Sequence, residues 1–256
     1  MSMEHVLYQC EGPCAVITIN RPDQRNALTP EAVEALHGHL DKAEADTGVR
    51  VVLVTGAGEK AFCTGAQLQG GLSGDAPGAF ERFASLLYRL TTFRKPTVAR
   101  VKGYCLAGGM GLMLACDVVI ASDDAVFGTP EVNVGLWPMM IGALIFRNVP
   151  RKKAMDMILT GRRVHAEEAL SMGLVSRVVP SGTLDEEVRA VATELAGKSP
   201  IGIRLGKEAF TQAEGMGLEE SLKFLAAKIA DVASTDDARE GILAFVEKRR
   251  PEFKGR

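Results

Sequence analysis

The chain has 256 residues, of which 46% are hydrophobic and 24% are charged. This is the balance of an ordinary globular protein, and it excludes a disordered or collagen-like chain. Thirty basic and 32 acidic residues give a formal net charge of −2, so no basic excess indicates a nucleic-acid or anionic-membrane partner. The length fits one large domain, or a domain with an appendage.

The N-terminal segment lacks the features of a targeting sequence. Residues 1–12 have no basic region followed by an apolar run, and Glu4 and Glu11 argue against a transit peptide. No uncharged apolar run reaches the roughly 20 residues that a membrane span needs. We therefore expect a cytoplasmic protein with no membrane partner. The five cysteines form no CxxC pair and the four histidines are scattered, so we expect buried thiols and no metal site.

Strand and helix patterns alternate over the first 130 residues. Short runs rich in β-branched residues predict strands at residues 14–20, 49–55, 96–101, 117–121 and 125–127. Thr29 and Pro30 have the character of a helix start, and apolar residues at helical spacing follow them. Further helices are predicted around 80–90 and, as a short buried helix, at 109–116. This alternation predicts an α/β fold with largely parallel strands.

The C-terminal part follows a different pattern. Four helices are predicted without an intervening strand, at residues 184–196, 200–213, 218–233 and 236–248. We therefore divide the chain into an α/β core at residues 1–195 and a helical C-terminal region at residues 196–256.

The segment 95–117, KPTVARVKGYCLAGGMGLMLACD, is the most informative part of the chain. A strand leads into a turn with Gly108, Gly109 and Gly111, and then into an apolar helix. Glycines at such a turn let backbone N–H groups face a phosphate or a developing oxyanion, although they can also serve close packing alone. The spacing matches neither the GxGxxG dinucleotide fingerprint nor a P-loop, which argues against nicotinamide and ATP chemistry.

A single carboxylate is the candidate acid/base. Glu131 follows a strand and Pro130 in apolar surroundings, where burial would raise its pKa and suit it to proton transfer. The alternative, considered for this residue by itself, is a structural glutamate that caps a helix or pairs with an arginine.

Together these elements resemble the crotonase superfamily, the enoyl-CoA hydratases and isomerases. The resemblance covers nearly the whole chain and rests on the order and spacing of several segments. They are ITINRPDQRNAL (17–28), KAFCTGAQL (60–68), residues 95–117, FGTPEVNVGLWP (127–138), LTGRRVHAEEALSMGLVSRVVP (159–180) and STDDAREGILAFVEKRRPEF (234–253).

The resemblance implies a spiral of ββα units, a C-terminal helical region used for trimerisation, and a homotrimer or homohexamer. It implies an acyl-CoA thioester substrate and no cofactor beyond the coenzyme A of that substrate. The thioester oxygen would accept hydrogen bonds from the backbone N–H groups of Ala66 and Gly108, and Glu131 would move protons. The residues expected to contact the acyl group or coenzyme A are Ala27, Thr64, Gln67, Leu68, Gly111, Trp137, Phe245 and Lys248.

The sequence departs from the typical hydratase pattern at one catalytic position. Such a hydratase has a second glutamate three residues after the oxyanion-hole glycine, and this chain has Gly111 there. Gln67 stands directly after the oxyanion-hole alanine, Ala66, where the family commonly has Asp or Asn. The further Asp of a dienoyl-CoA isomerase is Met139 here, and residues 62–92 lack the histidine of the chlorobenzoyl-CoA dehalogenases.

Three functions therefore remain open at this point. Hydration of an enoyl-CoA is our first prediction, with Glu131 as the only acid/base. A shift of the double bond between positions 3 and 2 needs only one carboxylate, so an isomerase is the alternative. A non-catalytic acyl-CoA binder is the second alternative. If the missing acid limits hydration, replacing Gly111 by Glu would increase it, provided that the side chain fits.

Overall fold

A six-stranded sheet forms the centre of the protein. The computed structural model describes residues 4–66 and 78–256. The sheet has the order β1-β2-β3-β5-β7-β10. Its strands are β1 (Val6–Glu11), β2 (Cys14–Ile19), β3 (Val51–Gly56), β5 (Thr97–Val101), β7 (Val118–Ser122) and β10 (Arg177–Val179). Only the β1–β2 pair is antiparallel among these described strands, which confirms the predicted parallel pairing.

A second sheet of short strands lies beside the first and has the order β4-β6-β8-β9. Its strands are β4 (Ala61–Cys63), β6 (Tyr104–Leu106), β8 (Val126–Gly128) and β9 (Val164–His165). The chain adds one strand to the large sheet and then one to the small sheet in three successive turns: β3 and β4, β5 and β6, β7 and β8. This is the predicted spiral of ββα units, in which the small sheet brings successive strand-to-helix turns together.

Ten α-helices complete the described part of the chain. They are α1 (Pro30–Ala45), α2 (Ala79–Thr91), α3 (Gly108–Leu114), α4 (Met139–Asn148), α5 (Arg151–Thr160), α6 (Ala166–Met172), α7 (Leu184–Ala196), α8 (Pro200–Ala213), α9 (Leu218–Ala233) and α10 (Asp236–Val246). Thr29 caps α1 as predicted, because its side-chain oxygen accepts a hydrogen bond from the N–H of Ala32 at 3.2 Å. None of these helices combines the length and apolarity needed to cross a membrane; the cytoplasmic location stays a prediction.

The core consists of aliphatic residues, methionine and a few phenylalanines, as the low aromatic content requires. The larger cluster lies between the two sheets and helices α1 to α6, and includes Phe62, Phe127, Met110 and Ile145. A smaller cluster packs α7 on the opposite side of the large sheet through Leu184 and neighbouring residues. Cys63, Cys105 and Cys116 are buried as expected, whereas Cys10 is exposed, contrary to expectation.

The last three helices bury little of their own surface. Ala209 is the buried residue of α8, Asp237 and Ala244 are those of α10, and α9 has none. Lys207 of α8 binds the carboxylate of Asp117 next to β7, which ties this region to the large sheet. The division at residue 195 stays a prediction, since nothing here measures whether the two parts fold independently.

Candidate active site

Glu131 lies at the exit of the small sheet. Strand β8 ends at Gly128, and a 3-10 turn follows at Pro130–Val134, closed by Gly135 with a φ of +75°. The N–H of Leu136 donates to the Glu131 carbonyl at 2.9 Å, which fixes the backbone of this residue. Its Oε2 atom is buried and has no hydrogen-bond partner among the described residues. Burial raises the pKa of the Glu131 carboxyl above its ordinary value, as expected for a proton-transfer group.

The two predicted N–H donors belong to segments in direct contact. Residue Ala66 forms a parallel bridge with Leu28, whose N–H donates to the carbonyl of Gly65 at 2.7 Å. A Cβ atom added to Gly108 would lie only 3.4 Å from the Cα atom of Gly65. No acceptor among the described residues takes the N–H of Ala66 or that of Gly108. Both N–H groups therefore lie on neighbouring segments without an acceptor among these residues.

The turn before α3 has a strained backbone. Ala107 has a φ of +49° and a ψ of −126°, a conformation that costs a residue with a Cβ roughly 1–3 kcal/mol. Its N–H donates to the carbonyl of Gly128 at 3.0 Å, so the start of α3 is attached to the strand that leads to Glu131. Gly65 has a φ of +91°, and an added Cβ would lie 2.7 Å from the Cβ of Ala107. Only glycine fits there, because both its backbone and its surroundings exclude a side chain.

Gly111 is buried inside the first turns of α3. A Cβ atom added to it would lie 2.5 Å from Cγ2 of Ile141 on α4 and 3.3 Å from both methyl groups of Leu87 on α2. The space that a second glutamate would need is therefore filled by apolar side chains. The proviso attached to the Gly111→Glu substitution is not met, because that side chain does not fit without displacing Ile141.

Two predicted contact residues of the first half, Ala27 and Thr64, lie around the Ala66 segment. Ala27 is half-buried, and its carbonyl accepts a hydrogen bond from the Arg21 guanidinium. The Thr64 hydroxyl donates to the carbonyl of Arg25 at 3.2 Å. Gln67 and Leu68 lie outside the described residues. Ala27 and Thr64 thus lie next to the Ala66 segment, and whether they contact a substrate stays a prediction.

Three predicted residues lie on more exposed parts of the protein. Trp137 precedes α4 and is 42% exposed. Phe245 lies near the end of α10 and is 84% exposed, and Lys248 follows the helix with a φ of +56°. Helix α10 packs against α8 and α9. Phe245 and Lys248 therefore lie on a different layer of the chain from Glu131, and their role in coenzyme A binding stays a prediction.

Three residues near this site carried no distinctive signal in the sequence. Phe83 of α2 places its Cζ atom 3.3 Å from the position of a Cβ on Gly108. Ile141 fills the space next to Gly111, and Thr129 is fully buried between β8 and Glu131. Phe83 lies in the helix predicted around residues 80–90, and a helical pattern does not indicate which neighbour a residue contacts. The described residues contain no cluster of His, Cys, Asp and Glu that could bind a metal ion.

The fold and the site together define a class: an α/β spiral whose strand-to-helix turns expose backbone N–H groups near one desolvated carboxylate. Comparisons with known proteins agree with this class. The sequence profile of the enoyl-CoA hydratase/isomerase family matches residues 10–256. A Thermus thermophilus protein that bears an enoyl-CoA hydratase name is 43% identical over 249 residues, which cover 95% of this chain and 98% of that protein.

Two further relatives match this chain over nearly its whole length. The 2,3-dehydroadipyl-CoA hydratase of Escherichia coli is 36% identical, with 99% of this chain and 100% of that protein covered. The crystal structure of an enoyl-CoA hydratase from Bacillus anthracis superimposes with a TM-score of 0.94 at 33% identity, covering 99% of this chain and 100% of that one. This chain belongs to the enoyl-CoA hydratase/isomerase family.

Proposed function

We propose that this protein hydrates the α,β double bond of an enoyl-CoA thioester, or catalyses the reverse dehydration, with Glu131 as its only carboxylate acid/base. The observation that carries the proposal is the buried, unpaired Oε2 atom of Glu131 and the raised pKa that its desolvation causes. A carboxyl group in this state can accept a proton and return it near neutral pH more readily than an exposed one.

The backbone N–H groups of Ala66 and Gly108 would stabilise the thioester oxygen. Addition of a nucleophile to Cβ places negative charge on this oxygen as an enolate. Fixed donors in a desolvated site stabilise this charge, and one such donor can lower the barrier by about 3 kcal/mol. Hydration neither oxidises nor reduces the substrate, so the proposed reaction needs no cofactor besides the coenzyme A that the substrate carries.

Assays with a panel of coenzyme A thioesters can identify the acyl group of the substrate. Crotonyl-CoA tests a short straight chain, and 2,3-dehydroadipyl-CoA tests the dicarboxylic substrate named for the Escherichia coli relative. Incubation with either thioester should remove the absorbance of the conjugated enoyl band as water adds. Incubation with 3-hexenoyl-CoA provides the comparison, since a double-bond shift would create that band instead.

Each outcome of this assay is informative. Loss of the band with an α,β-enoyl-CoA is the expected result. Gain of the band with 3-hexenoyl-CoA, and no loss with any member of the panel, would replace the hydratase proposal by an isomerase. Binding of the thioesters without either change would indicate a non-catalytic binder and contradict the proposal.

We also propose that the protein forms a homotrimer or a homohexamer through its C-terminal helices. The support is the apolar surface that these helices leave uncovered, which includes Leu218, Leu222 and Ile229 on α9. Phe245 and Lys248 would then reach the coenzyme A nucleotide of a neighbouring subunit, an aromatic ring against adenine and an ammonium group against phosphate.

A truncation that removes α10 would not test this assembly alone, because it would also remove the Asp237 carboxylate. This carboxylate accepts hydrogen bonds from the Ser199 hydroxyl and from the N–H of Gly255. Phe245→Ala changes an exposed side chain instead. Light scattering of the intact protein should give three or six subunits, and the variant should bind coenzyme A thioesters more weakly. An active monomer with unchanged affinity in the variant would contradict both halves of this proposal.

A further inference from the structure

Two buried oxygen atoms near the candidate site lack partners. Thr129 is fully buried, and neither its Oγ1 atom nor the Oε2 atom of Glu131 has a hydrogen-bond partner among the described residues. A buried polar atom without a partner costs about 1–3 kcal/mol, so such atoms are rare unless something binds them. Two of them lie two residues apart on one turn, and this turn already carries the candidate acid/base.

The position of Thr129 is fixed by the small sheet. Residue Thr129 directly follows Gly128, whose carbonyl accepts the N–H of Ala107. Pro130 then starts the 3-10 turn that carries Glu131. Thr129 is therefore the residue that joins the strand end bonded to the Ala107 turn to the turn that carries Glu131.

The Gly111 position on α3 supplies no polar group. The space beside Gly111 is occupied by Ile141 and Leu87, so no side chain from that point of α3 can hold a water molecule. Hydration nevertheless requires that the water molecule be oriented towards Cβ. A single hydrogen bond to a carboxylate oxygen does not fix the orientation of that water.

We propose that Thr129 is a positioning residue whose hydroxyl, together with Oε2 of Glu131, holds the water molecule that adds to the enoyl group. This inference rests on the proposed hydratase function and names a residue for it. The water oxygen forms a bond to Cβ while the π electrons of the double bond move towards the thioester oxygen. Glu131 accepts one proton of the water, and then gives a proton to Cα as the enolate collapses. The net change is the addition of one water molecule.

A conservative pair of substitutions separates this role from a structural one. Thr129→Val removes the hydroxyl and keeps the shape, and Thr129→Ser keeps the hydroxyl. With crotonyl-CoA, the Val variant should lose about 10-fold to 100-fold in kcat, and the Ser variant should retain most of it. Exchange of the α-proton of butyryl-CoA in D₂O needs Glu131 and the N–H donors but no attacking water, so it should stay within about threefold in both variants.

Thermal stability gives an independent readout with a matched control. Thr97 is also fully buried, but its hydroxyl is bonded to the Asp117 carboxylate at 2.9 Å. Thr97→Val should therefore lower Tm, because it leaves a polar partner unsatisfied, whereas Thr129→Val should leave Tm unchanged or raise it. A merely structural Thr129 would behave like Thr97.

Three results would overturn the proposal. Wild-type hydration in Thr129→Val would show that the hydroxyl holds no reacting water. Equal loss of hydration and of α-proton exchange would show that Thr129 acts on Glu131 or on the fold. A wild-type protein that exchanges the α-proton but hydrates no thioester would overturn the proposed function and this inference together, and it is recognised before any variant is made.

Discussion

The turn that carries Glu131 and the helix that carries Gly111 contact the rest of the protein in opposite ways. On the Glu131 turn, Oε2 of Glu131 and the hydroxyl of Thr129 are both buried and have no hydrogen-bond partner among the described residues. At Gly111 the three atoms nearest to the position of a Cβ are methyl carbons of Ile141 and Leu87. The first region has the unsatisfied groups of a reactive site, and the second has the close packing of a core. The comparison shows that, among the described residues, the unpaired polar atoms lie on the Glu131 turn, whereas the Gly111 position is closely packed.

The largest expected effect comes from removing the single carboxylate. Glu131→Gln keeps the size of the side chain but cannot transfer a proton, so turnover should fall by about 10²-fold or more. Steady-state kinetics with crotonyl-CoA measures this loss. Glu186→Gln, on the exposed surface of α7, is the matched control and should keep wild-type turnover. Near-normal turnover of Glu131→Gln would move the acid/base function to another group.

The next effect concerns the oxyanion hole. Gly108→Val places a branched side chain against the Cζ atom of Phe83, which lies 3.3 Å from the new Cβ, and against Gly65. It also fills the approach of the thioester, so activity should fall by about 10²-fold to 10³-fold. Circular dichroism should show a folded protein with modestly lower Tm. A folded and fully active variant would place the thioester oxygen elsewhere.

A smaller effect, on stability, tests the close packing of Ile141 and Leu87 at Gly111. Gly111→Ala forces the Cγ2 atom of Ile141 to move, which should cost about 1–3 kcal/mol of unfolding free energy. Gly142→Ala is the matched control, because this helical glycine has no neighbour within 4 Å of a new Cβ and should gain up to about 1 kcal/mol. Denaturant unfolding measures both. Equal effects at the two positions would contradict the tight packing, and with it the reason why a glutamate does not fit at position 111.

The smallest predicted effect is on the stability of Glu131→Gln. Because burial raises the pKa of Glu131 in the folded protein, this group favours folding when protonated, and that contribution is lost as the pH rises through the raised pKa. Above that pH, Glu131→Gln should therefore be more stable than the wild type. Thermal unfolding should show the difference at pH 8 and little of it at pH 4, and a destabilised variant at pH 8 would contradict the desolvated state of Glu131.

Local signals in the sequence were sufficient for much of the fold. Thr29 and Pro30 mark the start of α1 because the cap and the first turn are made within a few residues. The three helices 184–196, 200–213 and 218–233 have the predicted bounds, while the fourth ends at Val246, two residues earlier than predicted. Strands β1, β4, β6, β9 and β10 and helices α4, α5 and α6 were not predicted. Except for β1, these strands have two or three residues and depend on pairing with distant strands, so no local periodicity marks them.

The site was predictable where its residues match a family pattern, and unpredictable where packing decides. Glu131 and Gly108 are recognised by their motifs, and so is the absence of an acid at Gly111. The motif cannot indicate that Ile141, 30 positions away in the sequence, fills the space beside Gly111. It also cannot indicate that the buried Thr129 hydroxyl finds no hydrogen-bond partner among the described residues. Both are consequences of tertiary contacts between elements that are far apart in the chain.

The pH dependence of kcat/KM for hydration tests the central claim, that one desolvated carboxylate does the acid/base work. Glu131 must be ionised to accept the proton of water, so activity should fall on acidification through its pKa. Because burial raises this pKa, the fall should lie above the ordinary glutamate value of about 4.3. The fall should be absent from the residual activity of Glu131→Gln. Activity that persists unchanged through that range, or an acid limb that remains in Glu131→Gln, would contradict the account.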